Sequence, residues 1–364
     1  MKTESGEMRV VDFGYVPYLQ SQACYHTVAE MLGPDDPDTL TLVNPIEPYV
    51  CVGYHQEVDK EIDVDYCTEN HIPIVRRQVG GGAVYLDRNQ MFWHYIVHRS
   101  RAPYRIEELY DRFLQAPVQA LRAFGISAVH RPVNDIQVEG RKIGGTGAAE
   151  IGDAVVIVGS MILDFNYTLM ARVLKVPSEK FRDKVYQSLE TYLTTLKREL
   201  REQAPDREHQ KEVLLAETER ALGVRTLTGE LTSREREHMP TVEKRLASRE
   251  WTYLKTGLSA RGVKIAEGVR VVEGTHKAPG GLIRATAVIK DDQIQEIAIS
   301  GDFFFYPPDD LSTLEAELRG TPFTETAIRD TVARFIEARA VQVPRVNAED
   351  FMSALFAVPA PQPA

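Results

Sequence analysis

Three consecutive glycines at positions 80–82 constrain this chain more than any other feature of its sequence. They lie between two strand-like stretches, although glycine loses more conformational entropy on folding than any other residue. Such a run is useful where a ligand must lie against bare backbone, whose exposed N–H groups can bind an anion. Arg76 and Arg77 would add fixed positive charge. The same spacing fits a glycine hairpin whose arginines are merely solvated.

A second stretch of small residues follows an isolated lysine. Asn134 and Asp135 come first, and Lys142 then precedes the sequence Ile-Gly-Gly-Thr-Gly-Ala. A lysine ammonium is a compact charge that can stabilise a carboxylate or phosphate as charge develops on it. The neighbouring glycines would permit close approach of a ligand. Taken alone, Lys142 fits an ordinary surface lysine of a strand better than a site residue.

Apolar periodicity predicts alternating strands and helices over residues 1–165. Within this region we expect a helix at 107–124 that Pro117 kinks or splits, a hairpin turning at Glu139-Gly140, and a strand at 154–165 that Gly159 could break. Residues 168–250 are rich in charged residues and leucine, which fits a surface helix pair or an interdomain connector. Further strands are expected at 263–265, 269–272, 282–289 and 294–300, and helices at 311–319 and 326–338.

Charge and cysteine content argue against certain partners and against a disulfide-rich protein. The formal net charge of −10 argues against nucleic acid or an anionic membrane as the main partner. We see no signal peptide and no apolar stretch of membrane-spanning length. Cys24, Cys51 and Cys67 make a poor disulfide framework and are expected to be small buried residues. We therefore expect a cytoplasmic protein.

The two small-residue stretches together resemble one known family. Residues 76–97, RRQVGGGAVYLDRNQMFWHYIV, resemble the RRxSGGGAVYHDxGN motif of lipoate–protein ligases. Residues 134–149, NDIQVEGRKIGGTGAA, resemble that family's NDI…GRKISGSA segment, in the same order and at a matching separation. Residues 251–357 are similar to its small accessory domain, so the resemblance leaves only about 180–245 unexplained.

This resemblance implies a set of site residues. Lys142 matches the lysine that binds the acyl carbonyl and phosphate oxygens, and is the expected catalytic residue. Asn134 and Asp135 match the segment facing the nucleotide, with Asp135 as a ligand of the Mg²⁺ that accompanies ATP. The residues expected to bind lipoate and its adenylate are Arg77, Gly80, Gly81, Gly82, Ala83, Gly145 and Thr146.

The resemblance also implies a fold and an activity. The expected fold class is α+β, a biotin/lipoate-ligase-like catalytic domain with mixed sheets flanked by helices and a small C-terminal α+β domain. We place the catalytic domain at 1–200, a charged helical connector at 201–245, the accessory domain at 246–357 and a disordered tail at 358–364. The implied reaction uses ATP and Mg²⁺ to convert lipoic acid to lipoyl-AMP. A monomeric enzyme would then transfer the lipoyl group to a lysine of a lipoyl domain or another lipoate-carrier protein.

Three positions depart from the family's pattern. Val79 replaces a serine, Leu86 a histidine, and Val158 the histidine of a His-Gly-Thr segment. An octanoyltransferase of the same fold is therefore an alternative, although its cysteine lies near or after the Asn134 segment and no cysteine here follows Cys67. A non-catalytic lipoate-binding homologue is a second alternative. A biotin–protein ligase is disfavoured because its GRGRRGRxW-type loop is absent.

Two further clusters of residues have plainer explanations. His94 and His98 share one face of a predicted strand, and we expect them to have structural partners rather than to bind a metal. The four aromatic residues at 303–306 are expected to pack within the accessory domain.

Overall fold

The computed structural model describes residues 6–255 and 269–356. Contacts divide the chain into two compact units. The first comprises the described parts of Met1–Cys51, Ile62–Val75 and Val84–Trp251, and the second those of Val52–Glu61, Arg76–Ala83 and Thr252–Ala364. The predicted domain boundaries at 200 and 245 stay predictions.

The described strands, in chain order, are β1 (Glu7–Val16), β2 (Asp38–Pro45), β3 (Tyr49–Val52), β4 (Ile74–Arg76), β5 (Val84–Leu86), β6 (Gln90–His98), β7 (Val129–Arg131), β8 (Asp135–Val138), β9 (Arg141–Ile151), β10 (Ala154–Ile162), β11 (Arg225–Thr228), β12 (Val269–Ala278), β13 (Gly281–Lys290) and β14 (Gln293–Gly301). The described helices are α1 (Tyr18–Met31), α2 (Val58–Glu61), α3 (Val64–Glu69), α4 (Ile106–Phe113), α5 (Gln115–Ala123), α6 (Tyr167–Val173), α7 (Glu179–Tyr192), α8 (Leu196–Leu200), α9 (Arg207–Leu222), α10 (Ser233–Leu246), α11 (Arg249–Thr252), α12 (Asp310–Glu317), α13 (Glu325–Ala338) and α14 (Ala348–Phe356).

The first unit is built on an eight-stranded mixed sheet of order β11-β1-β2-β6-β10-β9-β8-β7. Strand β6 is central and buried along its whole length, so helices must cover both of its faces. On one face Tyr95 contacts Phe113 of α4 and its hydroxyl group lies 2.7 Å from that of Thr218 in α9. On the other face His94 packs against Tyr25 of α1. The expected α+β class with a mixed, helix-flanked sheet is confirmed.

Residues 201–245, the predicted connector, form α9, β11 and most of α10 within the first unit. Leu214 of α9 and Val242 of α10 are fully buried, and β11 pairs with β1 at the edge of the sheet. Helix α10 begins with a capping box in which Thr232 and Glu235 each accept from the other's backbone N–H. The buried side of these two helices combines apolar residues such as Leu214 and Val242 with polar residues such as Glu217 and Glu235.

The second unit contains an antiparallel sheet of order β12-β13-β14. Helices α12, α13 and α14 cover it and share an apolar core that includes Ile283, Phe303 and Phe335. The Asn347 side chain accepts from the backbone N–H groups of Glu349 and Asp350 and so caps the start of α14. The expected strand at 263–265 and tail at 358–364 lie outside the described residues.

Strand β10 continues through Gly159, so the break considered there does not occur. Gly159 pairs with Trp93 across the sheet, and a Cβ atom at this glycine would overlap the indole ring, with Cη2 only 2.5 Å away. The glycine is required by close packing of an aromatic side chain rather than by a turn. The helix expected at 107–124 is split at Leu114, which lies between α4 and α5. Pro117 lies inside α5, in its first turn.

We predict that Gly159→Ala destabilises the protein, because the added methyl group must displace the buried Trp93 ring. The expected loss in free energy of unfolding is about 1–3 kcal/mol, measured by urea denaturation. Gly6→Ala is the matched control, since its Cβ would have only Val224 Cγ1 nearby, at 4.0 Å. Equal stability of the two variants would contradict this account of the packing.

Candidate functional site

A hairpin of the first unit collects five of the predicted site residues. Strands β8 and β9 pair Asp135 with Gly145, which places Lys142 on the same short hairpin. The Lys142 Nζ atom lies 2.7 Å from Oδ1 of Asp135, and both side chains are about one-third exposed. The Lys142 Cε atom lies 3.5 Å from the position that a Cβ of Gly145 would occupy. The ammonium group is therefore solvent-accessible, held by a carboxylate and bordered by bare backbone.

Asn134 and Thr146 close the other side of this hairpin. The Asn134 side-chain amide donates to the Thr146 carbonyl at 2.8 Å, and the Thr146 hydroxyl donates to the Asn134 carbonyl. These reciprocal bonds fix the backbone on either side of Asp135 and Gly145. Asn134 and Thr146 therefore hold the hairpin that presents Lys142, whatever else they contact.

The glycine loop belongs to the second unit. Arg77 donates from one guanidinium nitrogen to the carbonyl oxygens of Gly80 and Gly82, both at 2.8 Å. Gly81 has a φ of +89°, which favours glycine. A Cβ at Gly53 would overlap the Gly81 carbonyl, so two backbone segments meet here without side chains between them. Arg77 thus shapes the loop by binding its carbonyl groups.

Aromatic residues of the second unit lie against this loop. A Cβ at Gly80 would be 3.0 Å from Phe304 Cδ1, and one at Gly81 would be 3.1 Å from Phe304 Cζ. Phe303 and Phe305 are buried in the core of the unit, as expected from the sequence. The glycines therefore accommodate the Phe304 ring closely, and Ala83, which follows them, is partly buried.

Arg76 is a structural residue whose role the sequence did not reveal. Its side chain is fully buried and donates to the carbonyl oxygens of Gly53, Tyr54 and Thr252 at 2.8–3.0 Å. Arg76 and Arg77 alternate in direction because they are consecutive residues at a strand end. In the sequence both arginines look like candidate anion ligands, and only their being consecutive suggests that their roles differ. Arg76 instead satisfies three buried carbonyl groups.

His55 lies beside this arginine and is uncharged. Its ring stacks on Phe303 with centroids 5.5 Å apart, and burial, with Lys255 and Arg76 nearby, holds the pKa of His55 well below its usual value. Since both ring nitrogens are buried and have no hydrogen-bond partner among the described residues, protonation would place an unpaired charge in an apolar setting. His55 therefore acts here as an aromatic packing residue.

The other tempting residues have structural partners. His94 Nδ1 lies 2.8 Å from the Thr41 hydroxyl, and burial lowers the pKa of His94 to about 3. His98 Nδ1 lies 2.8 Å from the Ser100 hydroxyl, which confirms the structural interpretation of both histidines. The Nε2 atom of His276 lies 2.9 Å from Oδ1 of Asp350. Among the described residues no cluster of three or more His, Cys, Asp or Glu could hold a metal ion.

All three cysteines are free and buried, as expected. Burial raises the pKa of the Cys24 thiol to about 12 and, with nearby Asp63, that of Cys67 to about 11. A nucleophilic cysteine needs an accessible thiolate. None of these thiols is suited to form a thioester.

The departures from the expected motif are apolar packing positions. Val79 is buried, and Leu86 is partly buried and pairs with Tyr49 on β3. Val158 pairs with His94 across β6 and β10. The structure therefore places a histidine directly opposite the position where the family's histidine is missing, but this His94 is buried and neutral.

Family models match two regions of the chain. Residues 17–219 match the lipoyl protein ligase A/B catalytic domain. Residues 272–355 match the bacterial lipoate protein ligase C-terminus. In the part of the chain that the structure describes, no helix has the length and apolarity needed to cross a membrane.

Curated relatives carry names from two branches of this family. Lipoate-protein ligase A subunit 1 of Thermoplasma acidophilum is 36% identical over 38% of this chain and 56% of its own length. Lipoate–protein ligase 2 of Staphylococcus aureus is 26% identical over 76% of this chain and 78% of its own length. Octanoyltransferase LipM of Kyrpidia tusciae is 28% identical over 60% of this chain and 88% of its own length.

Solved structures share the fold at lower identity. A bipartite lipoate protein ligase from T. acidophilum, studied with its E2 lipoyl domain, has a TM-score of 0.62, 23% identity, and covers 68% of this chain and 96% of its own. Lipoate-protein ligase A bound with ATP has a TM-score of 0.57 and 21% identity, and the match covers 68% of this chain and 98% of its own. P. falciparum LipL1 in complex with lipoate has a TM-score of 0.67 and 14% identity, and the match covers 92% of this chain and 98% of its own.

We predict that Arg76→Leu strongly destabilises the protein, because the carbonyl groups of Gly53, Tyr54 and Thr252 lose a buried donor. The expected loss is about 3 kcal/mol or more, seen as a lower thermal midpoint. Arg105→Leu is the control, since that side chain is 67% exposed and lies 3.9 Å from Glu107. If the two variants have the same thermal midpoint, the hydrogen bonds from Arg76 to the three carbonyl groups do not stabilise the protein.

Proposed function

The chain belongs to the lipoate–protein ligase family, with the family's catalytic and C-terminal regions in one polypeptide, and on that premise we propose an ATP-dependent lipoate–protein ligase. It would activate lipoic acid as lipoyl-AMP and transfer the lipoyl group to a lysine of a carrier protein. The observation that carries this proposal is the Lys142 ammonium, 2.7 Å from Asp135 and bordered by the small residues of β9.

Lipoate is a poor electrophile and needs activation before an amine can attack it. In the first step a lipoate oxygen attacks the α-phosphorus of ATP, a C–O–P anhydride forms, and pyrophosphate leaves. In the second step the amine of the acceptor lysine attacks the acyl carbon, and AMP leaves as the amine loses a proton. Both steps place negative charge on oxygens near the acyl carbon, which a fixed ammonium group stabilises. We assign this role to Lys142.

The residues around Lys142 divide the remaining work. Asp135 holds the ammonium group in place, and its partly exposed carboxylate fits the one-carboxylate sites in which Mg²⁺ binds together with nucleotide phosphates. Bound Mg²⁺ would neutralise phosphate charge during adenylation. Asn134 and Thr146 keep the hairpin closed, and Gly145 leaves room for the ligand. Binding of lipoate and its adenylate by the glycine loop, which Arg77 shapes and Ala83 follows, stays a prediction from the resemblance.

An octanoyltransferase of the same family is the second candidate, favoured by the likeness to LipM. Against it, the three cysteines are buried and two have raised pKa values, so an acyl thioester is disfavoured. The match to a ligase C-terminus over residues 272–355 also favours ligation. An E2 lipoyl domain accompanies the T. acidophilum relative, and we propose a lipoyl domain as the acceptor here. A monomeric state and a cytoplasmic location stay predictions.

We expect that intact-mass analysis of a purified lipoyl domain will show one lipoyl addition after incubation with the protein, ATP, Mg²⁺ and lipoate. Lys142→Ala should lower the initial rate by about 100- to 1000-fold, as loss of an oxyanion donor does. Lys244→Ala, which removes an exposed lysine of α10, should keep the wild-type rate. A wild-type rate for Lys142→Ala would refute the role assigned to this side chain.

A variant in which Cys24, Cys51 and Cys67 are all replaced by alanine separates the two candidate reactions. We expect it to retain ATP-dependent lipoyl transfer, because none of the three thiols is accessible. An octanoyltransferase would instead modify the acceptor from an octanoyl-carrier protein without ATP and lose activity with its cysteine. If the wild type transfers octanoyl groups without ATP, and the variant loses this activity although its thermal midpoint shows that it folds, the reaction is acyl exchange and not ligation.

A further inference from the structure

Lys142 lies in a part of β9 that projects beyond the neighbouring strand. The ladder between β9 and β10 runs from the Ile151–Ala154 pair to the Thr146–Gly159 pair. Lys142 comes four residues before the end of this ladder, and its strand partner there is Gln137 of β8. A hairpin held along one edge only is more mobile than a strand paired on both edges. The position of Lys142 therefore needs support on its second edge.

A segment between α7 and α8 supplies this support. Leu193 forms a parallel bridge with Lys142, and the Thr194 N–H donates to the Lys142 carbonyl oxygen at 2.9 Å. The Thr194 side chain is fully buried. The backbone of Lys142 is thus held on both edges, by β8 and by residues 193–194.

Side chains close this connection into a ring. The Thr194 hydroxyl donates to the carboxylate of Glu199, which lies 3.1 Å from the guanidinium group of Arg141. Arg141 immediately precedes Lys142, so contacts lead from the lysine through Thr194 and Glu199 back to the adjacent residue. The side chains of Glu199 and Arg141 are only 15% and 25% exposed, which limits screening of their interaction by water.

The segment 193–199 is also anchored to the end of β10. The Lys197 N–H donates to the Leu163 carbonyl at 3.0 Å, and the Tyr167 hydroxyl donates to the Leu193 carbonyl at 3.2 Å. Residues 193–199 therefore fill the place beside β9 that β10 leaves open. We name residues 193–199 the brace.

We propose that Thr194 and Glu199 are positioning residues, and that the brace fixes Lys142 for its reaction; this rests on the proposed ligase function. Neither side chain contacts the Lys142 ammonium, which Asp135 holds. The brace acts through the backbone, because it determines where the strand bearing Lys142 lies. A displacement of about 1 Å in a charge-stabilising group can lower a rate on the order of 100-fold.

Glu199→Ala tests this role, since it removes the partner of both Thr194 and Arg141. We expect kcat for lipoyl-AMP formation to fall by about 10- to 100-fold, with KM for lipoate little changed. Glu199→Gln keeps an acceptor for the Thr194 hydroxyl but loses the charge, so its kcat should lie between those of the wild type and Glu199→Ala. Glu150→Gln is the control, because it removes a carboxylate paired with Arg99 at the opposite end of β9.

A double-mutant cycle distinguishes positioning from a general structural effect. If the brace acts through Lys142, Glu199→Ala should cause little further loss in a Lys142→Ala background. An equal loss in both backgrounds, or a wild-type rate for Glu199→Ala, would overturn the proposal.

Hydrogen exchange supplies a readout that does not depend on activity. Glu199→Ala should speed amide exchange in peptides covering residues 139–146 and 193–196, while peptides of β6 keep the wild-type rate. Unchanged exchange in the two regions would refute the brace even if the wild-type protein proved inactive. Conversely, inactivity of the wild type together with faster exchange in the variant would reject the ligase function and retain the structural role of the brace.

Discussion

Complete burial of strand β6 is the constraint on which the first unit depends. Its nine residues include Trp93, His94 and Tyr95, whose side chains project alternately to the two faces of the sheet. Both faces therefore require cover, which α1 supplies on one side, with α10 packed on it, and α4 and α9 supply on the other. The tight fit extends to β10, where only glycine is compatible with the Trp93 ring. Such a packed centre provides the rigid frame from which the β8–β9 hairpin projects.

The two small-residue stretches use glycine for different physical reasons. Around Gly81 the backbone adopts a positive φ and approaches Gly53 so closely that no side chain fits between them. Around Gly145 the backbone is extended, and the missing side chain leaves space beside Lys142. One stretch is shaped by carbonyl contacts to Arg77, and the other by the reciprocal bonds of Asn134 and Thr146.

The role of a cationic side chain in this protein depends on the groups that surround it. Arg76 is buried against three carbonyl groups, whereas Lys142 stays partly exposed beside a single carboxylate. Sequence places both cations next to small residues, yet one maintains the structure and the other is available to a ligand. The difference follows from solvation, because a buried guanidinium must satisfy all of its donors within the protein.

The sequence alone determined the α+β class, most strands and helices, and the family, because alternating apolar residues and two motifs of small residues are local signals. It also predicted the buried cysteines and the hairpin that joins Asp135 to Lys142. It could not predict that Arg76 is structural, that Gly159 accommodates Trp93, or that residues 193–199 support Lys142. Those relations join residues far apart in the chain, and only the tertiary structure decides which strand edges stay open and which segment fills them.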